Sequence, residues 1–245
     1  MLLPLGVSLW VRRDMRLFSL YLVCNLIPFI LNQYFVQSIL FNSIISFTAH
    51  LILFTGTIAL YSDILLLHWQ EFLQLNSAKW WLIGGSVLAI FGIIGFTELS
   101  LVALLESAFG KNQVGAMYDV PSYHSKHLSL LGSFIVFTAA LGNTLFTAII
   151  NELLFRHVLF MEKLYVNPRL ILWLTLSSLL YGFTFWYSLE QDWIATLPYM
   201  LAGAWLAWLY YKGDNLWYCL FISLTYSLIQ VLVIPLLFIV YLELA

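Results

Sequence analysis

Apolar runs of about 20 residues, the length that crosses a bilayer as a helix, recur along nearly the whole chain. They fall at 17–41, 44–67, 80–105, 130–155, 170–188, 193–211 and 216–242. A helix rises about 1.5 Å per residue, so each run covers the roughly 30 Å hydrocarbon core. The expected fold is therefore all-α: a polytopic transmembrane helix bundle of about seven spans. Pro28 and Pro235 lie in the first and last runs. Each can kink a helix or divide a segment, and one division would raise the count to eight and return the C-terminus to the inner side.

Charge usage fits this picture, since only 9% of residues are charged and 62% are hydrophobic, whereas a soluble domain carries charge at about a quarter of its positions. The net charge of -2 comes without a basic tract, which sets nucleic-acid partners aside. Cys24 and Cys219 both lie in apolar runs and are expected to pack there rather than to form a disulfide or a metal site. Near the N-terminus a short apolar stretch precedes Arg12, Arg13 and Arg16, the reverse of a secretory signal, so no cleavage is expected. Pro4 and the residues after it suggest a short interfacial segment before the first crossing.

Lysine and arginine placement orients the bundle. With the N-terminus cytoplasmic, Arg12, Arg13, Arg16, Lys79, Arg156, Lys163, Arg169 and Lys212 fall inside, and only Lys111 and Lys126 fall outside. The positive-inside rule favours that arrangement. Trp80, Trp81, Trp186, Tyr187, Tyr210, Tyr211, Trp217 and Tyr218 lie near span ends, as interfacial anchors do. The outer loop 106–129 contains Gly110, Gly115, Pro121, His124 and His127. Two histidines three residues apart without a third ligand make a weak zinc signal, and a solvated loop face is the preferred reading. No metal or cofactor is expected.

The run at 130–155 is the one that carries chemistry. Ala140, Asn143, Thr144, Thr147, Ala148, Asn151 and Glu152 recur at spacings of three and four, giving a small, polar face expected to look into the bundle. Glu152 and Arg156 follow at i and i+4, acid first, the favourable order for a helical ion pair. Ionised groups at membrane depth pair, line a cavity or carry out chemistry. A self-neutralising salt bridge is thus one reading of the two, and a functional site is the other.

Asn-Glu-Leu-Leu-Phe-Arg at 151–156 resembles the first motif, Glu-Glu-x-x-x-Arg, of the CPBP intramembrane proteases, the CAAX-protease and bacteriocin-processing (Abi) family. Ser177-Ser-Leu-Leu-Tyr-Gly-Phe-Thr-Phe185 is similar to the segment holding that family's Phe-x-x-x-His, with Tyr181 at the Phe and Phe185 at the His. Lys212-Gly-Asp-Asn-Leu-Trp217 resembles the turn before its His-x-x-x-Asn, which puts Ser223 at that His and Ser227 at the Asn. Lys111-Asn-Gln113 is also like the family. The resemblance covers roughly 100–235, so 100–245 is expected to form a CPBP-like core and 1–99 a set of N-terminal transmembrane helices.

The resemblance implies a water activated by the first Glu with the motif-two His, while the third motif stabilises charge on the substrate carbonyl. General-base chemistry needs a proton acceptor within reach of that water. Here the first Glu is Asn151, and the histidine positions hold Phe185 and Ser223. Zinc needs at least three protein ligands, and Glu152 alone remains in place. The expectation is a catalytically degenerate member that binds a membrane protein or membrane-bound peptide, as scaffold, regulator or bacteriocin-immunity protein, in a bacterial-type plasma membrane. Two alternatives stand beside it: an atypical endopeptidase using Glu152 with His50 or His157 as a relocated base, and a small-solute transporter. The last lacks the inverted repeat and paired interrupted helices typical of transporters.

Overall fold

A computed structural model describes residues 5–34, 39–74, 78–109, 129–166, 168–186, 189 and 193–233. Every regular element among them is helical: α1 (Leu5–Tyr34), α2 (Ile39–Leu73), α3 (Ala78–Thr97), α4 (Ala103–Phe109), α5 (Leu130–Asn151), α6 (Glu162–Val166), α7 (Leu170–Phe183), α8 (Leu197–Gly213) and α9 (Leu216–Leu228). Wider π-helical stretches at Glu98–Val102 and Glu152–Met161 carry α3 into α4 and α5 into α6, and a third, Ile229–Val233, extends α9. Pro4, Lys111-Asn-Gln113, Gly110, Gly115, Pro121, His124, Lys126, His127, Tyr187 and Pro235 lie outside the described residues.

Each expected apolar run contains helix, but the runs are not equal. Among the described residues, Ile39–Leu73, Trp80–Leu105, Leu130–Tyr165 and Leu216–Val233 are both long and apolar enough to cross a bilayer. Among the described residues, length and composition thus give four such spans, and the expected seven crossings are not confirmed. α7 has 14 residues and spans only about 21 Å at the helical rise. It ends at Phe183, after which Thr184, Phe185 and Trp186 donate their amides three residues back. α8 begins only at Leu197, with Pro198 in its first turn, where the missing amide costs nothing. α1 is a single helix from Leu5 onward, so the expected separate interfacial segment is the first part of α1. Pro28 lies inside α1 without ending it.

Close approach between helices follows from small residues. A Cβ on Gly142 of α5 would meet the Phe47 ring of α2 at 2.5 Å, and one on Gly203 of α8 would meet the Tyr181 ring of α7 at 2.9 Å. Where bulk is absent, backbones pack tightly, the usual device between membrane helices. α2 turns at Tyr61, whose φ of -125° and ψ of 16° leave the helical region. Its inward residues Leu53, Thr57, Tyr61 and Leu65 recur every fourth position.

The α8–α9 corner is fixed by its sequence. Asp214 adopts the left-handed conformation (φ 46°) after Gly213, and Asn215 caps α9 by accepting from the Trp217 amide at 3.0 Å. The Asn215 side chain also donates to the His68 carbonyl at 2.8 Å, and the Trp217 indole donates to the Leu65 carbonyl at 2.9 Å. This corner therefore pins the start of α9 to the end of α2.

The expected polar face of α5 is only partly realised. Ala140 is exposed, and residues 141–147 are half-buried in every direction. From Ile150 through Glu162 every residue is buried. Sidedness thus disappears where the π-helical stretch begins, because helices surround that stretch on all sides.

Candidate functional site

The wholly buried stretch brings three motif positions together. Glu152 and Arg156 are both fully buried, with Arg156 Nε 3.4 Å from Glu152 Oε2. Ser223, 71 residues later on α9, donates its hydroxyl to Glu152 Oε1 at 2.7 Å. The carboxylate is therefore held from two sides, by a cation on its own helix and by a hydroxyl across the α5–α9 contact.

The arginine is held in turn. Its Nη1 donates to Ser177 Oγ at 3.1 Å, and that hydroxyl donates onward to the Phe155 carbonyl at 2.7 Å. Its guanidinium lies 4.4 Å from the centroid of the Tyr181 ring. That geometry is cation–π, at the desolvated end of its range of roughly 0.5–2 kcal/mol. Ser177 and Tyr181 are a turn apart on α7, so one face of α7 supports both contacts. Ser177 accordingly joins the site, although no motif of the sequence singles it out. Its spacing of four from Tyr181 was the available signal.

The remaining motif positions are placed differently. Asn151 is buried beside Glu152, and its amide oxygen has no hydrogen-bond partner among the described residues. Phe185 sits in the turns after α7, stacked on Tyr199 at 4.3 Å with its ring edge toward Tyr181 at 5.5 Å. Ser227 is half-buried one turn beyond Ser223. The site therefore combines an acid, a guanidinium, hydroxyls and aromatic rings.

Among the described residues, the contacts of His50 and His157 lie away from this arrangement. His50 Nδ1 lies 2.8 Å from the Ser46 carbonyl of its own helix. His157 follows Arg156 directly, yet its Nδ1 lies 2.8 Å from the Tyr210 hydroxyl and its Nε2 3.3 Å from Glu162 Oε1. His157 thus faces another polar cluster. No group of three or more His, Cys, Asp or Glu among the described residues is arranged to hold a metal ion. Cys24 and Cys219 are both buried free thiols, and Cys219 donates to the Leu206 carbonyl at 3.3 Å.

Residues 132–229 match the family model described as "Type II CAAX prenyl endopeptidase Rce1-like". The matched segment, less than half of the chain, contains Glu152, Arg156, Ser177, Tyr181, Phe185 and Ser223. Comparison with curated proteins and with solved structures finds no match.

Proposed function

We propose that this protein is a catalytically degenerate CPBP-type membrane protein that acts by binding a membrane protein or a membrane-bound peptide. The observation that carries this reading is the state of Glu152, whose carboxylate is fully buried and engaged by Ser223 and Arg156. A carboxylate used in that way is a structural anion. Hydrolysis requires a positioned base and a water within its reach, and the neighbouring motif positions are the amide Asn151, the ring of Phe185 and the hydroxyl of Ser223. The motif framework then serves to hold α5, α7 and α9 in the arrangement that presents a binding surface.

Gentle detergent purification followed by identification of co-purifying polypeptides tests the binding role, and stable, stoichiometric retention of a membrane partner is the expected result. Cleavage of that partner by the wild type, abolished in Glu152→Ala, would overturn the reading and favour the endopeptidase. The orientation proposed from lysine and arginine placement puts the N-terminus in the cytoplasm of a bacterial-type cell. Single cysteines at Lys163 and Lys212 should resist an impermeant thiol reagent in intact cells, while one at Lys126 should react. The opposite pattern would invert the topology.

A further inference from the structure

Past Arg156, the same helical rod enters a second polar assembly that the proposed function does not use. Glu162 Oε1, 3.3 Å from His157 Nε2, also accepts from Arg13 Nη2 of α1 at 3.0 Å. The next residue on each side pairs with the signs exchanged: Lys163 Nζ donates to Asp14 Oδ2 at 3.2 Å. Adjacent Arg13-Asp14 on α1 thus meets adjacent Glu162-Lys163 on α6, positive against negative and negative against positive. Tyr61 of α2 donates to the other Asp14 oxygen at 3.0 Å, and its ring lies 4.3 Å from the Arg13 guanidinium. Both carboxylates are buried, at 5% exposure for Asp14 and 7% for Glu162.

Further along α1, Leu17 is fully buried and the Tyr21 ring sets its face edge-on to Phe155, the residue before Arg156, at 6.4 Å. α1 therefore packs chiefly along α2 and reaches the helix that carries the candidate site through these residues. Its other side is apolar and exposed, with Met15, Leu22 and Leu26 more than half accessible. Lipid tails are as apolar as leucine, so apolar contact gives such a helix little preference for protein over lipid. Paired charges do give one, because a buried carboxylate cannot be left without its partner. The two carboxyl groups also lie against each other, so each needs its cation from the opposite helix, and a shift of α1 that separated Arg13 from Glu162 or Asp14 from Lys163 would leave buried acids unpaired.

We propose that α1 is a releasable strap over the site-bearing helix, locked by the reciprocal clasp of Arg13-Asp14 on Glu162-Lys163. The rim of the clasp is open, with Lys163 one-third exposed and Asp63, a second partner of Arg13 at 3.6 Å, largely exposed. Because Glu162 Oε1 also lies 3.3 Å from His157 Nε2, opening the clasp changes the surroundings of the neighbour of Arg156 and carries the strap's position into the site. The strap operates whether that site cleaves or only binds.

The two native cysteines report the strap directly. Cys24, on α1, packs on Leu53 and Ile150 and is 6% exposed, whereas Cys219, on α9, is fully buried. The full chain in mild detergent is treated with N-ethylmaleimide, and modification of each cysteine is followed by peptide mass spectrometry. Asp14→Lys should speed Cys24 modification several-fold and leave Cys219 as slow as in the wild type. Asp14→Lys combined with Lys163→Asp should return Cys24 to the wild-type rate. An unchanged Cys24 rate in the single variant, a fast Cys24 in the exchanged pair, or both cysteines accelerating together in the single variant would each overturn the strap.

Discussion

Two ion-pair systems lie on one helical rod and do opposite things. Glu152 and Arg156 are neighbours on the same helix, fully buried, and neutralise each other within one turn. Arg13-Asp14 and Glu162-Lys163 are 149 residues apart, partly exposed, and tie separate helices together. The first pair lets a charged motif be buried at all; the second specifies which helix lies where. Burial therefore sets the cost of disturbing a pair, and sequence separation sets what the disturbance moves.

The sharpest way to break this comparison is to remove one member of the inner pair. Losing one partner of a buried ion pair typically costs about 3–5 kcal/mol, whereas apolar replacement of both is often nearly neutral. Glu152→Gln or Arg156→Met should each lower the melting temperature in detergent strongly, and the double substitution should recover much of the loss. Single variants as stable as the wild type would show that the pair is not coupled to the fold. A double variant that melts like the wild type yet no longer retains its partner would assign the pair to binding.

A smaller loss is expected where the inner pair is supported rather than broken. Ser177→Ala removes the acceptor for Arg156 Nη1 and the donor to the Phe155 carbonyl, and leaving such groups unsatisfied costs about 1–3 kcal/mol. Circular-dichroism melting should place it between wild type and Arg156→Met. The smallest effect belongs to the outer system's exposed member. Asp63→Ala removes a partner that is 72% exposed and 3.6 Å from Arg13, and exposed pairs contribute only about 0–1 kcal/mol. A Tm loss from Asp63→Ala as large as that from Ser177→Ala would end the distinction between the two systems.

The inner pair was legible in the sequence, because i and i+4 spacing on an apolar helix is local information. The Ser223 contact was not local, and only the motif order of a resembling family placed that residue near Glu152. The aromatic position of Phe185 was likewise readable, but not its stacking on Tyr199, since α7 ends before it. His157 stood in the sequence only as a candidate relocated base, and its contact to Tyr210 depends on a helix far away in sequence. The clasp was invisible for the same reason: Arg13 and Lys163 counted only as positive charges on the inner side. Apolar runs located the helices well and their lengths less well, because the ends of α7 and α8 are set by turn geometry and a proline rather than by hydropathy.

The ten residues from Glu152 to Met161 form i→i+5 rather than i→i+4 bonds, so each turns the chain through less than the ~100° of an ordinary α-helix. Over ten residues that lag accumulates to a large fraction of a revolution. The stretch therefore works as a phase shifter between the two polar systems. It lets Glu152 and Arg156 point toward α7 and α9 while Glu162 and Lys163 emerge facing α1, an azimuth that an α-helix of the same sequence would not give them. The angular offset between site and strap is thus written in the pitch of one segment, and a residue deleted there would rotate one partner away without altering either set of charges.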